Sequence, residues 1–149
     1  MDFNELTTSF AERHGVADFV AENGVAALDI DGIVITIVAD GDALSLSAEV
    51  GQPPAECRAD FADLLLEANM QPDAVFAKAP DSGNYVLVRR LSLPALDDGA
   101  FDAALEALVN LTETWRRLLA DFRPAAAAAA DKNNEAPAVL FGLSGIMKV

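Results

Sequence analysis

The first apolar positions of the chain, Phe3, Leu6 and Phe10, are spaced i, i+3, i+7, which places them on one face of a helix. The pattern predicts a helix over residues 2–14. Asp2 is placed to accept hydrogen bonds from the free amides of its first turn, and Gly15 is placed to end it. The period then changes. Val25 to Ile30, Ile33 to Ala39 and Ala43 to Val50 read as three strands, separated by Asp31-Gly32 and by Asp40-Gly41-Asp42. Asp-Gly pairs suit tight hairpins, because both central residues of a type I′ turn need positive φ. The middle segment is β-branched at most positions, which stiffens an extended chain. Its two faces differ little: Ile33, Ile35 and Ile37 on one, Val34, Thr36 and Val38 on the other. The third alternates more cleanly, Leu44, Leu46, Ala48 and Val50 against Ser45, Ser47 and Glu49. Residues 16–23 contain Phe19 and Val20, which favour burial, in a stretch too short to assign.

Pro54 opens a second predicted helix, roughly Ala55 to Asn69, with Phe61, Leu64, Leu65 and Ala68 as its apolar stripe. Two more strands, Ala74 to Ala79 and Asn84 to Leu91, flank the turn residues Asp81-Ser82-Gly83. Asp97 or Asp98 caps a third helix reaching about Phe122. Its positions Phe101, Leu105, Leu108, Leu111, Trp115, Leu118 and Phe122 advance in steps of three and four. Pro124 breaks the pattern. The organisation expected is a domain over residues 1–123, an alanine-rich linker over 124–135 and an apolar C-terminal tail over 136–149. Strands joined by short turns are antiparallel. The expected fold is α+β: a twisted antiparallel five-stranded sheet with three helices, in the order α-β-β-β-α-β-β-α.

Composition narrows the chemistry. The 149 residues suffice for one domain. A net charge of −14 argues against nucleic acid and anionic membrane as partners, since both are held by cations. The single cysteine, Cys57, permits neither an internal disulfide nor a cysteine-rich zinc site. The N-terminus carries Asp2 and Glu5 without a basic region, unlike a secretion signal, and no apolar run approaches the ~20 residues of a membrane helix. His14 is the one histidine, so any histidine-based catalytic group would have to use it. At the end of a helix, a histidine also simply favours the C-terminal partial charge. Asp29, Asp31 and Asp40 are offset like positions of a calcium loop, but Ile33 and the displaced glycine break the match. The expectation is no metal, no cofactor and no enzyme. What remains is apolar surface: a sheet with apolar residues on both faces of its middle strand, which marks a protein contact.

Several local patterns resemble the class I chaperones of type III secretion, the Tir chaperone family. Ala27-Leu28-Asp29-Ile30-Asp31-Gly32 followed by Ile33-Val34-Ile35-Thr36 resembles the family's first hairpin, and Ala43-Leu44-Ser45-Leu46 to Val50-Gly51 its third strand. Leu64-Leu65-Leu66-Glu67-Ala68-Asn69 resembles its Leu-Leu-x-Ala-Asn helix end. Leu91-Ser92-Leu93-Pro94 with Leu96-Asp97 resembles the approach to its last helix, where Trp115 also fits. The resemblance covers about Phe3 to Phe122. It implies a homodimer in the bacterial cytoplasm that binds the N-terminal segment of a secreted effector in extended form and keeps it soluble and competent for secretion. Carried onto this sequence, Leu6, Phe10, Val34, Val38 and Leu44 are the effector-binding candidates. Phe61, Leu65 and Phe76 are the dimer-interface candidates. The alternative is a regulatory or scaffolding module that binds a protein partner on the same fold.

The tail lies outside the resemblance. Ala136 to Val149 holds seven large apolar side chains and one charge, Lys148. Such a segment is expected to dock, through Leu140, Phe141, Leu143, Ile146 and Met147, either on the effector-binding surface or as a permanent piece of the core or dimer interface.

Overall fold

Residues 2–16, 20–70 and 74–122 are described in the structure, a computed structural model. The linker 124–135 and the tail 136–149, with Leu140, Phe141, Leu143, Ile146 and Met147, lie outside the described residues, as does Phe19.

Helix α1 runs Phe3–His14. Asp2 Oδ1 accepts from the Glu5 amide at 2.8 Å, and Glu5 Oε2 accepts from the Asp2 amide at 3.1 Å. This reciprocal box satisfies two of the amides that a helix start leaves free. Gly15, at φ 64°, ends the helix and returns its amide to the Ala11 carbonyl.

Four strands follow as a meander: β1 (Val20–Glu22), β2 (Val25–Ile30), β3 (Ile33–Asp40) and β4 (Ala43–Gly51). Asp31 and Gly32 both have positive φ, 54° and 85°, as a tight hairpin turn requires. The Asp29 carboxylate accepts from the Gly32 amide at 2.9 Å, which gives this acidic residue a turn-holding role. A 3-10 turn, Ala55–Cys57, leads into α2 (Arg58–Ala68), so the regular helix starts three residues later than the sequence predicts. Strands β5 (Val75–Lys78) and β6 (Tyr85–Ser92) precede α3 (Asp98–Asp121). Asp97 caps α3, accepting from the Ala100 amide at 2.7 Å.

The strands form one antiparallel sheet in the order β1-β2-β3-β4-β6-β5. The five expected strands and three helices occur in the expected order. The three-residue β1 adds an edge strand to them, joined to β2 through Asn23 and Gly24, both at positive φ.

The core lies between one face of the sheet and all three helices. Leu28, Ile35, Ile37, Leu44, Leu46 and Leu87 point into it from the strands. Leu6 of α1, Phe61 of α2, and Phe101, Leu105 and Trp115 of α3 meet them. Each such side chain, fully buried, stabilises the fold by about 1.5–3 kcal/mol. Trp115 is the hub: its ring packs edge-on to Phe76 at 4.6 Å and to Phe61 at 6.4 Å. Phe61 in turn meets Phe122 at 5.1 Å and Tyr85 at 5.6 Å. At the far end of β4, where its register with β6 shifts between Glu49 and Gly51, the Arg116 guanidinium donates to the Glu49 carbonyl from Nε at 3.0 Å and Nη2 at 2.8 Å. This ties the last turns of α3 to that end of the sheet.

Candidate protein-binding surface

The alternation along β3 resolves into two different faces. Ile33, Ile35 and Ile37 are buried, whereas Val34 is 50% exposed and Val38 is exposed too. Val25 of β2 is exposed and pairs directly with Val38. Pairing carries the same outward face across the sheet, through Ala27, Thr36 and Ser47 to Val88 and Val75. Small and β-branched side chains clad its β2 and β3 part, and Ser45, Ser47, Glu49 and Arg90 make its β4 and β6 part more polar. Among the described residues, no helix covers it. The acids stand at its ends: Asp29 and Asp31 by the β2–β3 turn, Asp40 and Asp42 by the β3–β4 turn.

A second exposed apolar group surrounds the end of α2. Leu66 and Met70 lie four residues apart and Met70 is 85% exposed; β5 follows, with its Val75 on the outer face. Asn69 joins the two elements. Its Nδ2 donates to the Phe76 carbonyl at 3.2 Å, and its Oδ1 accepts from the Phe76 amide at 2.5 Å. The asparagine of the Leu-Leu-x-Ala-Asn pattern is therefore a bracket between helix and edge strand.

Of the effector-binding candidates, Val34 and Val38 are at the surface, on the outer face. Leu6, Phe10 and Leu44 are buried in the core, because their helix stripe and strand parity turn them toward the opposite layer. They offer no side-chain surface to a partner in this conformation. The same correction applies to the dimer candidates: Phe61, Leu65 and Phe76 are buried within the single chain. Their exposed neighbours Leu66 and Met70 are the residues available there. Val25, Leu66, Met70 and Val75 were not among the candidates.

One polar cluster fastens α1 to α3. Arg13 pairs with Asp102 and, at 3.3 Å, with Asp98, and His14 Nε2 lies 3.1 Å from Asp102. Partial burial pushes the Asp102 carboxyl up, but hydrogen bonds from Arg13 and His14 and their charge outweigh it and hold the group below its ordinary value. The Asp102 partnership raises the Arg13 guanidinium in turn. Phe10 packs beneath, 4.4 Å from the His14 ring and 5.6 Å from Phe101. Cys57 is buried. Among the described residues, no three His, Cys, Asp or Glu side chains converge as metal ligands do, and no helix is long and apolar enough to cross a membrane.

The fold has solved counterparts. The ExsC–ExsE complex contains a chain 24% identical, with a TM-score of 0.67, covering 85% of this chain and 99% of that one. The Yersinia pestis type III secretion chaperone SycH, in complex with a fragment of YscM2, is 18% identical, with a TM-score of 0.61, covering 76% and 99%. YbjN from E. coli, provisionally assigned to transcription regulation, is 14% identical, with a TM-score of 0.60, covering 80% and 93%. At these identities the likeness establishes the fold. No relative is found among curated protein sequences. The model of the Tir chaperone protein (CesT) family matches residues 5–116, most of the chain, and the chain belongs to that family.

Proposed function

We propose that the chain is a type III secretion chaperone that holds the N-terminal segment of a secreted effector in extended form on the outer face of its sheet. The observation that carries this reading is the uncovered row Val25, Val34 and Val38, on a face whose other side is already filled by three helices. An extended segment placed there buries alternate side chains against small and β-branched residues. Binding and release involve no catalytic step, and the bacterial cytoplasm is the compartment this reading implies. Val34→Asp sets a carboxylate in the middle of the contact, which costs several kcal/mol if it is buried unpaired. The test is co-purification from the native host with the parent and with Val34→Asp. The parent captures a secreted protein through its N-terminal region and the variant does not. Equal capture by a folded variant removes the outer face from the reading.

The chaperone acts as a homodimer through Leu66 and Met70, the exposed apolar pair at the end of α2. Light scattering gives about twice the 15.7 kDa chain mass under reducing conditions, and Met70→Asp lowers it toward one. A parent that remains monomeric at micromolar concentration rules the dimer out.

A regulatory or scaffolding role is the second reading. The shared fold of YbjN favours it, and capture of a folded, non-secreted protein in the same experiment selects it.

A further inference from the structure

We propose that residues 136–149 of this chain lie on the outer face of the sheet, over Val25, Val34 and Val38, and occupy it until a client segment displaces them. The client's part rests on the reading above; the docking does not.

Among the described residues the inner face is already occupied. Its strand residues and three helices close a core in which Ile35, Ile37, Leu46 and Trp115 are fully buried. The segment nevertheless needs cover, since seven large apolar side chains with one charge in fourteen positions make an aggregation-prone stretch in water. Among the described residues, the outer face is an apolar surface at Val25, Val34 and Val38 that no helix covers. Ser45 and Arg90 continue the Val38 row, Asp29 and Asp40 stand at the hairpin ends, and the segment's one charged side chain, Lys148, is positive.

The point of departure and the length of chain agree with this site. Helix α3 ends at Asp121, and Phe122 packs on Phe61 beside the end of β4 that Arg116 holds. From there the segment has to pass round the sheet to the opposite face. The thirteen residues 123–135 span about 43 Å when extended, at ~3.3 Å each. Six strands are about 24 Å across at ~4.8 Å spacing, so every point of the outer face lies within reach. The patch at Leu66 and Met70 lies on the same side as the exit, one short helix away, and needs no such length.

The test uses the full chain and contains no client. Val34→Cys places a thiol under the proposed segment, and buried Cys57 supplies only a slow background. Its alkylation by a maleimide is expected to be about tenfold slower than in the same chain carrying Phe141→Asp and Leu143→Asp, which corresponds to a segment docked for about nine-tenths of the time. A synthetic peptide of residues 136–149 added to the double variant restores the slow rate. Equal rates with and without the tail substitutions overturn the proposal. So does shielding of Met70→Cys in place of Val34→Cys, which seats the segment beside α2. Failure of the chaperone reading looks different: Val34 is shielded by the tail, but Val34→Asp leaves capture of the client unchanged.

Discussion

Asn69 closes a two-bond ring with the main chain of Phe76, seven residues on, and so fixes the first edge-strand residues against the end of α2. A side chain here does what the sheet ladder does elsewhere, satisfying both backbone polar groups of one residue. Asn69→Ala removes both partners. The expected cost is about 1–3 kcal/mol, that of leaving part-buried backbone groups unmet. It is read as a lower urea midpoint with an unchanged slope. Asn69→Asp retains the acceptor and loses the donor, and is expected to fall between the two.

Leu6 and Val34 separate core from surface. Leu6→Asp sets a carboxylate in the core and is expected to abolish folding, seen as loss of the cooperative thermal transition. Val34→Asp changes an exposed site and is expected to leave stability within about 0.5 kcal/mol. If both variants melted like the parent, Leu6 would not be the buried residue described here.

The Arg13–Asp102 cluster makes the seating of α1 on α3 sensitive to acid. Because folding lowers the Asp102 pKa, its contribution is complete above the ordinary value of 3.8 and is lost as pH falls through the lower folded value. The groups are partly exposed, so the contribution is small and is weakened by salt. Asp102→Asn is expected to lower the melting temperature at pH 7. The gap from the parent should close below the ordinary carboxylate range. A constant gap from pH 7 to pH 2 would remove the charge from the explanation.

Trp115 is the one tryptophan, fully buried between Phe61 and Phe76. Trp115→Ala is expected to cost about 3–5 kcal/mol, since it empties the hub of the core. Trp115→Phe costs less. It keeps a ring against Phe76 and removes an indole N–H that finds no acceptor among the described residues. Denaturant titration followed by circular dichroism ranks the three proteins.

Much of the architecture is legible in the sequence because local rules and tertiary packing agree there. The stripe of α3, the Asp2 cap and the Asp31-Gly32 turn each lead to the observed element. Strand β1 is the exception: Asn23-Gly24 is a strong hairpin pair, but its first arm is only three residues long, too short for alternation to show. The faces of β3 were harder, because isoleucine and valine both favour strands and neither declares its side. The candidate surface was partly misplaced for the same reason, since apolar character alone does not separate Leu44 from Val34. Two signals were available. Val25 has the opposite parity to Ala26 and Leu28, and Leu66 falls off the stripe Phe61, Leu65 and Ala68.

The neighbour relation of β4 and β6 has a consequence for synthesis. Strands β1 to β4 pair with their immediate successors and close through short turns, so they assemble from local contacts as soon as they leave the ribosome. The free side of β4 waits for β6, whose residues 85–92 follow α2 and β5 in the chain. Throughout that interval the nascent chain presents an unpaired strand edge with Leu44 and Leu46 unshielded by α3, the kind of edge on which chains aggregate. Ser45, Ser47 and Glu49 alternate with those leucines. They keep one side of the waiting strand polar, which limits the damage until the hairpin of β5 and β6 arrives.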